Sequence, residues 1–359
     1  MTVRLIAAAL AAAVPAAAQV ASFRVREDYG LRRFGYPVRA GFASMEDPAA
    51  LRLLEEGKPV AAQFTRTAAN RVEVDFNITI GPGEVRQFVV ERAEAAAAPA
   101  GGIRIEETNG AFVVRYPQGL EFEVPKDLRG LLHSVRHGDL SYLKPGSPGL
   151  LAGGTPIEPA SPRILKNGPM VAAIAFETRG PQASAVELEF PRSKSWMEVR
   201  WRYGGDAGNL AAELNLELDE SPALVDFGAG TMVYAALRKG QGASLSARVA
   251  APGEPAWTID VGGQAYAAGS GFPLDGWAHM MDARRAAAVA LDAFARGPAG
   301  RRETIETRPG GLLRVARDFA RHEREKFLRF WVHFVKMPVQ VGAATSPQSM
   351  QNPLKIEWP

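Results

Sequence analysis

The chain of 359 residues contains no cysteine. This absence excludes disulfide bonds, thiolate chemistry and any metal site with cysteine ligands. Beyond the first eighteen residues the sequence also lacks an apolar run long enough to form a membrane helix, so no membrane span is expected. The fold must therefore be stabilised mainly by burial of apolar side chains.

Several catalytic motifs are missing as well. The sequence has no Gly-x-Ser-x-Gly, no phosphate-binding loop, no dinucleotide fingerprint and no His-Glu-x-x-His, which argues against the enzyme classes that depend on them. No cofactor and no metal ion is predicted, although a role for a divalent cation is left open.

The charge balance is mildly basic, with a formal net charge of +3. No lysine or arginine run interleaves with aromatic residues, so we do not expect a nucleic-acid partner. The excess of positive charge is compatible with an acidic polysaccharide, and equally with an ordinary arginine-rich surface.

The N-terminus predicts a signal peptide over residues 1–18. Arg4 precedes a small and apolar run over residues 5–14, and Ala16 and Ala18 satisfy the small-residue rule for cleavage before Gln19. The prediction is a secreted or periplasmic protein. The alternative is an alanine-rich buried helix that begins a cytoplasmic domain.

Residues 19–92 predict a small N-terminal β-barrel or β-sandwich domain. Its clearest strand is Arg71–Ile80, in which apolar residues alternate with polar ones. A Gly-Pro turn follows, and the pattern of residues 85–91 predicts the returning strand of a hairpin. Residues 93–102 are low in complexity and have no large apolar group, which favours an interdomain linker.

Residues 103–341 predict a large antiparallel β-sandwich, because short alternating segments recur between Gly and Pro turns. Helix and strand both fit residues 283–296 and 312–335, and the aromatic, β-branched segment 327–335 favours a strand. The polar residues 342–359 are expected to be an irregular tail. The predicted fold class is thus all-β.

Some of these segments resemble a known family. Three sequence segments carry the resemblance. They are residues 34–42, residues 51–64 with Gly57, Pro59, Val60 and Gln63, and the Gly-containing predicted strands over residues 110–138. They are similar to the N-terminal β domain and the first sandwich strands of exo-rhamnogalacturonan-lyase-like proteins. The resemblance implies a supersandwich of the mutarotase-like type, here without the C-terminal α/α toroid of larger members.

The same resemblance implies a polysaccharide or oligosaccharide partner. The favoured function is action on, or binding to, an acidic polysaccharide, including β-elimination by a rhamnogalacturonan-type lyase. One alternative is a non-catalytic carbohydrate-binding or envelope protein, and a third is a mutarotase-like sugar epimerase. Whether the chain is an enzyme stays open, as do the glycan and the oligomeric state.

A lyase needs a cation to neutralise the substrate carboxylate and groups that transfer protons. Three sets of residues offer such groups, and each set also has a plain structural explanation as surface or core. The first set surrounds a Gly138 turn, the second lies on one strand, and the third lies in a Gly276 loop. The predicted catalytic candidates are Arg200 or Arg284 for the carboxylate and His279 or His137 for the proton. The predicted ligand-binding residues are His133, Arg136, Tyr142, Trp196, Arg202 and Trp277.

Alternation divides the second set between two faces. Trp196, Arg200 and Arg202 fall on one face of the predicted strand, and the intervening Trp201 falls on the other, which is expected to be the core. Only the first face is therefore available for a ligand. The sequence does not predict a metal site built from His279 and Asp282, because no third potential ligand lies nearby.

Overall fold

A computed structural model of the chain describes residues 19–93, 101–158, 161–180, 182–218, 223–229, 232–251, 254–271, 275–320, 323, 325–338 and 346–359. The predicted signal peptide lies outside the described residues, as do residues 94–100 of the predicted linker. Both remain predictions, as do the domain boundaries drawn from them.

The first unit (residues 19–93) consists of short antiparallel strands and a 3-10 turn at Pro48–Ala50 that Asp47 caps. Its strands are β1 (Gln19–Arg26), β2 (Arg33–Ala43), β3 (Leu51–Glu55), β4 (Lys58–Val60), β5 (Ala62–Ala68), β6 (Arg71–Ile80) and β7 (Val85–Arg92).

Two sheets form the first unit. Strands β1, β7, β3 and β4 make one sheet, and β2, β6 and β5 make the other. The predicted hairpin of β6 and β7 is therefore wrong, because the turn after Ile80 carries the chain from one sheet to the other. The two strands meet through side chains instead, with the rings of Phe76 and Phe88 4.8 Å apart in the shared core.

The large unit (residues 101–338) is built of strands throughout its described part. They are β8 (Arg104–Glu107), β9 (Ala111–Arg115), β10 (Leu120–Pro125), β11 (Ser134–His137), β12 (Leu140–Ser141), β13 (Gly149–Ala152), β14 (Thr155–Pro156), β15 (Ser161–Asn167), β16 (Val171–Glu177), β17 (Ser184–Pro191), β18 (Trp196–Tyr203), β19 (Asn209–Asn215), β20 (Ala223–Gly228), β21 (Met232–Leu237), β22 (Ala243–Ala251), β23 (Glu254–Val261), β24 (Gln264–Ser270), β25 (Trp277–Met281), β26 (Arg285–Leu291), β27 (Arg302–Arg308), β28 (Leu312–Asp318) and β29 (Lys326–Lys336).

These strands form three antiparallel sheets over the described residues. Strands β8 to β12 make a five-stranded sheet, and β14-β13-β19-β28-β27-β22-β23-β24 make an eight-stranded one. The order β15-β16-β17-β18-β29-β26-β25-β20-β21 makes a nine-stranded sheet. The all-β prediction is confirmed, and the two ambiguous segments provide β26, β28 and β29.

The core of the large unit lies on the inner face of the nine-stranded sheet. Val199, Trp201 and Phe330 point into it and are fully buried, and the five- and eight-stranded sheets contribute the opposing side chains. Burying a side chain of this size stabilises the fold by about 1.5–3 kcal/mol.

The predicted irregular tail is wrong for its described part, the return segment (residues 346–359). It forms helix α1 (Ser346–Gln351) and strand β30 (Lys355–Glu357), which pairs with β1 so that Glu357 lies opposite Arg24. Met350 and Leu354 are buried in the core of the first unit. Two apolar anchors and three backbone pairs thus order a segment whose composition is mostly polar.

The helical residues that the structure describes include no stretch that is both long and apolar enough to span a membrane.

The first unit packs on the outer face of the nine-stranded sheet, the face opposite to the core. Trp196, Trp277 and Trp331 project from this face into the apolar cluster of the first unit. The side chain of Gln63 also binds the large unit, accepting from the amides of Met170 and Val171 at 2.9 and 3.0 Å.

Candidate functional site

Strand pairing places many polar side chains on the outer face. Directly paired residues of antiparallel strands point to the same side of a sheet. One row across the strands is Trp196, His333, Ala288, His279 and Asp226. The next row is Glu189, Glu198, Trp331, Ala290, Trp277 and Gly228.

Between the first unit, the return segment and this outer face lies a cavity of about 240 Å³, the inter-unit cleft. Its charged lining residues are Arg39, Asp75, Glu189, Glu198, Arg200 and Arg329. The volume is below the roughly 300–1,000 Å³ of pockets for drug-sized ligands, so the cleft has room for about one sugar residue.

The guanidinium groups of the cleft are paired with carboxylates. Arg200 contacts Glu187 at 2.7 Å, Glu189 at 3.2 Å and Glu198 at 2.6 Å. Arg329 binds the same Glu198 oxygen at 2.7 Å. Each guanidinium thus has at least one carboxylate partner already.

Contacts across the inter-unit boundary extend this network. Arg39 of the first unit lies 2.8 Å from Glu189 and 2.7 Å from Asp75. Lys166, on β15, reaches back to Asp75 at 2.6 Å and Glu73 at 2.9 Å. Lys166 and Asp75 are almost fully buried, so neither charge has water to replace its partner.

Glu189 is ionised in this setting. Burial alone would raise the pKa of its carboxyl group, but the charges of Arg39 and Arg200 outweigh burial and lower the pKa to about 2. Arg39 and Arg200 both bind Oε2 of Glu189, and both arginines that contact Glu198 bind its Oε1. Among the described residues, Oε1 of Glu189 and Oε2 of Glu198 have no hydrogen-bond partner. Glu189 therefore accepts hydrogen bonds in the cleft and carries no proton that it could donate as a general acid.

The structure divides the second predicted set as the alternation does. Trp201 is buried in the core, while Trp196, Arg200 and Arg202 are on the outer face. Trp196 is only 4% exposed because the first unit covers it. Arg202 is exposed, and its guanidinium lies 5.9 Å from the ring centre of Phe327, away from the cleft.

The third predicted set is split between the outer face and a turn. His279 lies on β25 with Nδ1 3.2 Å from Oδ2 of Asp226, and Trp277 is buried beside it with ring centres 4.9 Å apart. Arg284 is exposed at the turn into β26. Asp282 is buried and forms an ion pair with Arg285 at 3.2 Å.

Arg200 and His279 are not neighbours. Strands β29 and β26 lie between theirs, and three strand spacings correspond to roughly 14 Å. One sugar carboxylate and its adjacent C–H group could not contact both residues at once. The predicted catalytic pairing of these two is therefore not assembled in this structure.

The first predicted set lies away from the cleft. His133 and Arg136 are exposed, and Nε2 of His137 is 3.0 Å from the carbonyl oxygen of Gln118. Tyr142 points the other way, into the core against Phe334, and burial raises its pKa to about 12. These residues lie within or beside strands β11 and β12 of the five-stranded sheet and do not converge.

His333 is a buried neutral histidine on the outer face. Burial lowers its pKa to about 3, with a further contribution from the nearby His279 and Lys194. Its Nε2 is 2.8 Å from Oγ of Ser195. No three His, Asp or Glu side chains within the described ranges are grouped so that they could hold a metal ion.

The sequence did not single out Glu189, Glu198 or Arg329. Glu189 and Glu198 belong to clearly alternating strands, and that alternation does place them on the polar faces. The missing information was the neighbour of each strand, since β29, which pairs with β18, follows it by more than a hundred residues. Local patterns contain no signal for such a distant pairing.

No family model matches this chain, and no curated protein matches it either. Some solved structures do match this chain. A protein in glycosyl hydrolase family 38 from Enterococcus faecalis is 9% identical, with a TM-score of 0.59 over 94% of this chain and 47% of that one. An alpha-mannosidase from Enterococcus faecalis V583 gives a TM-score of 0.55 at 8% identity, over 94% of this chain and 46% of that one.

The chain spans about half the length of those two structures. At such low identity, the likeness shows a shared fold. A putative aldose 1-epimerase from Escherichia coli overlays with a TM-score of only 0.36 at 8% identity, covering 66% of this chain and 100% of that one. That score is too low to carry an argument. The fold of this chain thus occurs in proteins whose names refer to carbohydrate chemistry.

Proposed function

We propose that this protein binds carbohydrate in the inter-unit cleft without cleaving it. The observation that carries the proposal is the pair of open carboxylate oxygens, Oε1 of Glu189 and Oε2 of Glu198, at a cavity of about 240 Å³. Carboxylates held in place by arginine accept hydrogen bonds from hydroxyl groups, which every sugar presents. The shared fold with the glycosyl hydrolase family 38 protein supports the same ligand class.

Binding without cleavage is supported by the state of Glu189. Glycosidases require a carboxylic acid with a raised pKa to protonate the leaving oxygen. Glu189 has its pKa lowered to about 2, so it is an acceptor at neutral pH. An exported location, which rests on residues 1–18, belongs to this proposal as well.

Affinity electrophoresis against a panel of neutral and acidic polysaccharides tests the proposal. Glu198→Gln should weaken retention about fivefold or more, because a charged acceptor becomes a neutral amide. Glu187→Gln is the matched control, since Glu187 also binds Arg200 at 2.7 Å but does not line the cleft. Equal retention of both variants and the wild type would contradict a role for the cleft.

Lyase action is the second candidate, and the Asp226–His279 contact of 3.2 Å favours it. A carboxylate that orients an imidazole is a common arrangement for proton transfer. The acidic polysaccharide predicted from the resemblance would then be the substrate. Incubation with rhamnogalacturonan and other uronic polymers should release an unsaturated product that absorbs ultraviolet light. The absence of that absorbance with every polymer would exclude the lyase.

A further inference from the structure

A cavity of about 410 Å³ lies on the solvent face of the eight-stranded sheet, the face opposite to the core. It is separate from the inter-unit cleft, because the two cavities share no lining residue. Strands β22, β23 and β27 provide most of the lining, and we call it the arginine cavity. Its polar lining residues are Ser246, Arg248, Thr258, Arg302 and Asp318.

Strand register places the side chains of β22, β23 and β27 on one face of the sheet. Arg248 of β22 is paired with Arg302 of β27. Ser246, two residues before Arg248, is paired with Thr258 of β23. Directly paired residues point to the same side of a sheet, and so do residues two apart on one strand. The intervening Ala247 is buried in the core, so the four polar side chains point away from it. One ligand can therefore contact both arginines and the hydroxyl groups.

Two like charges face each other at this position without a counter-ion. Among the described residues, neither Arg248 nor Arg302 forms a side-chain hydrogen bond or an ion pair. By contrast, Arg314 on the same face contacts Glu213 at 3.2 Å and Glu306 at 3.5 Å. Directly paired side chains have Cβ atoms only about 4.5–5.5 Å apart, and like charges at that spacing destabilise a sheet. An anion between the two guanidinium groups would remove their repulsion and be bound by both.

The cavity also contains groups that suit hydroxyls. Asp318 is half-buried, and its side chain forms no hydrogen bond or ion pair within the described ranges. Burial raises the pKa of its carboxyl group in spite of the nearby Arg302 and Arg314. Ser246 and Thr258 are half-buried as well, and each can donate and accept a hydrogen bond. The lining thus combines two cations with three groups that can bind the hydroxyl groups of a ligand.

We propose that the arginine cavity binds a uronic acid residue of an acidic glycan. The sugar carboxylate lies between Arg248 and Arg302 and accepts charge-assisted hydrogen bonds from both. The sugar hydroxyl groups bind Asp318, Ser246 and Thr258. The cavity volume is within the roughly 300–1,000 Å³ range of small-ligand pockets. This site goes beyond the inter-unit cleft, and it rests only on the proposal that the protein binds carbohydrate.

The test compares polygalacturonate with its carboxyl-reduced form, a galactan with the same linkages. Titration of the full chain at low salt should give tighter binding of polygalacturonate. Arg248→Gln and Arg302→Gln should each weaken that binding about tenfold and leave the binding of the galactan unchanged, because only charge-assisted bonds are lost. Thr258→Val, which removes a hydroxyl group at similar volume, should weaken the binding of both glycans about threefold.

Arg32→Gln is the matched control for the loss of one positive charge, because Arg32 is an exposed arginine of the first unit and does not line the cavity. It should weaken the binding of polygalacturonate less than about twofold, through net charge alone. Thermal unfolding checks the fold. The midpoint of Arg248→Gln should not fall, because the substitution removes a like-charge contact. If Arg302→Gln is destabilised, Arg248→Gln and Thr258→Val provide the same comparison in a folded chain.

Inorganic phosphate is the other source of an anion for this cavity. At equal ionic strength, sodium phosphate and sodium chloride should displace polygalacturonate to the same extent. Stronger displacement by phosphate that Arg248→Gln abolishes would assign the cavity to an inorganic anion and overturn the uronic acid.

The variants also separate this site from the inter-unit cleft. If Arg248→Gln and Arg302→Gln bind polygalacturonate as Arg32→Gln does, while Glu198→Gln weakens retention, this site is overturned and the cleft is kept. The reverse result would keep this site and contradict the cleft. Wild-type affinity of Thr258→Val for both glycans would overturn the hydroxyl contacts. No retention on any glycan would overturn both sites.

Discussion

The two faces of strand β18 show how differently one alternating pattern can be used. Val199 and Trp201 point to the inner face and pack in an apolar core, where Trp201 donates from Nε1 to Oγ of Ser184 at 2.6 Å. Glu198 and Arg200 point to the outer face and join an ion-pair network below the first unit. Both faces are largely covered by protein.

Polarity therefore does not mark the solvent side of this strand. The inner face depends on shape and the hydrophobic effect, so it tolerates apolar exchanges of similar volume. The outer face depends on exact partners, because a buried charge without its partner is costly. Four substitutions or conditions should show how much each contact of the outer face contributes.

The largest effect is expected for Lys166→Met, which leaves Asp75 and Glu73 without their ammonium partner. Removing one partner of a buried ion pair costs about 3–5 kcal/mol. Urea unfolding measures the loss. Arg163→Met is the control on the same strand, because the Arg163–Glu177 pair is mostly exposed at 3.8 Å and should contribute less than about 1 kcal/mol. Equal losses for both variants would refute the distinction.

The second largest effect is expected at acid pH, where protonation of Glu189 should weaken the inter-unit ion-pair network and lower the free energy of unfolding. The ordinary pKa of a glutamate is 4.5, and that of Glu189 is lowered to about 2 in the fold. Its stabilisation is therefore complete above pH 4.5 and is lost as the pH falls from there towards 2. The loss amounts to roughly 3 kcal/mol, since a tenfold change in proton affinity corresponds to about 1.36 kcal/mol.

Urea unfolding at pH 6, 4 and 3 measures this dependence. The slope should flatten in Glu189→Gln, which cannot titrate. Because burial, Arg39 and Arg200 set the pKa, Glu187→Gln should retain most of the slope. If the free energy of unfolding of Glu189→Gln still falls steeply at acid pH, groups other than Glu189 cause the pH dependence.

A smaller loss is expected for Gly228→Ala at the far end of the outer face. A Cβ atom at Gly228 would overlap the indole of Trp277, which is buried. Overpacking of this kind costs about 1–3 kcal/mol. Gly110→Ala is the control, because a Cβ there meets nothing within 4 Å. Thermal unfolding measures both variants. A lower midpoint for Gly228→Ala than for Gly110→Ala would show that the packing around Trp277 is tight, and equal midpoints would show that it is loose.

The smallest effect is expected for Arg202→Ala. Arg202 is the exposed member of its face, and its contact with the ring of Phe327 contributes about 0.5–1 kcal/mol. Chemical denaturation should show a loss of that size, and glycan retention should not change. A loss of retention would return Arg202 to the ligand-binding residues predicted from the sequence.

Period-two alternation was enough to predict the fold class and several strands. The pattern of Arg71–Ile80 predicts β6 with its bounds, and the division of Trp196 and Trp201 between two faces is also predicted. Alternation is local, because successive side chains of any strand point to opposite sides. It states which residues share a face and contains no information on what covers that face.

The candidate sites depended on that missing information. Trp196 and Trp277 carry the sequence signature of sugar-stacking residues, yet the first unit buries both. Arg248 and Arg302 face each other only because β22 pairs with β27, although other strands separate the two residues along the chain. Contacts between residues so far apart in sequence are set by the whole fold, so no local pattern predicts them.

The pairing of Arg24 with Glu357 also has a consequence for biosynthesis. At about 5–20 residues per second, the ribosome adds the return segment tens of seconds after β1 has emerged. Until then the edge of β1 that β30 will cover has no partner, and the pocket for Met350 is empty. The sheet of the first unit is therefore completed only when residues 346–359 pair with β1 and bury Met350.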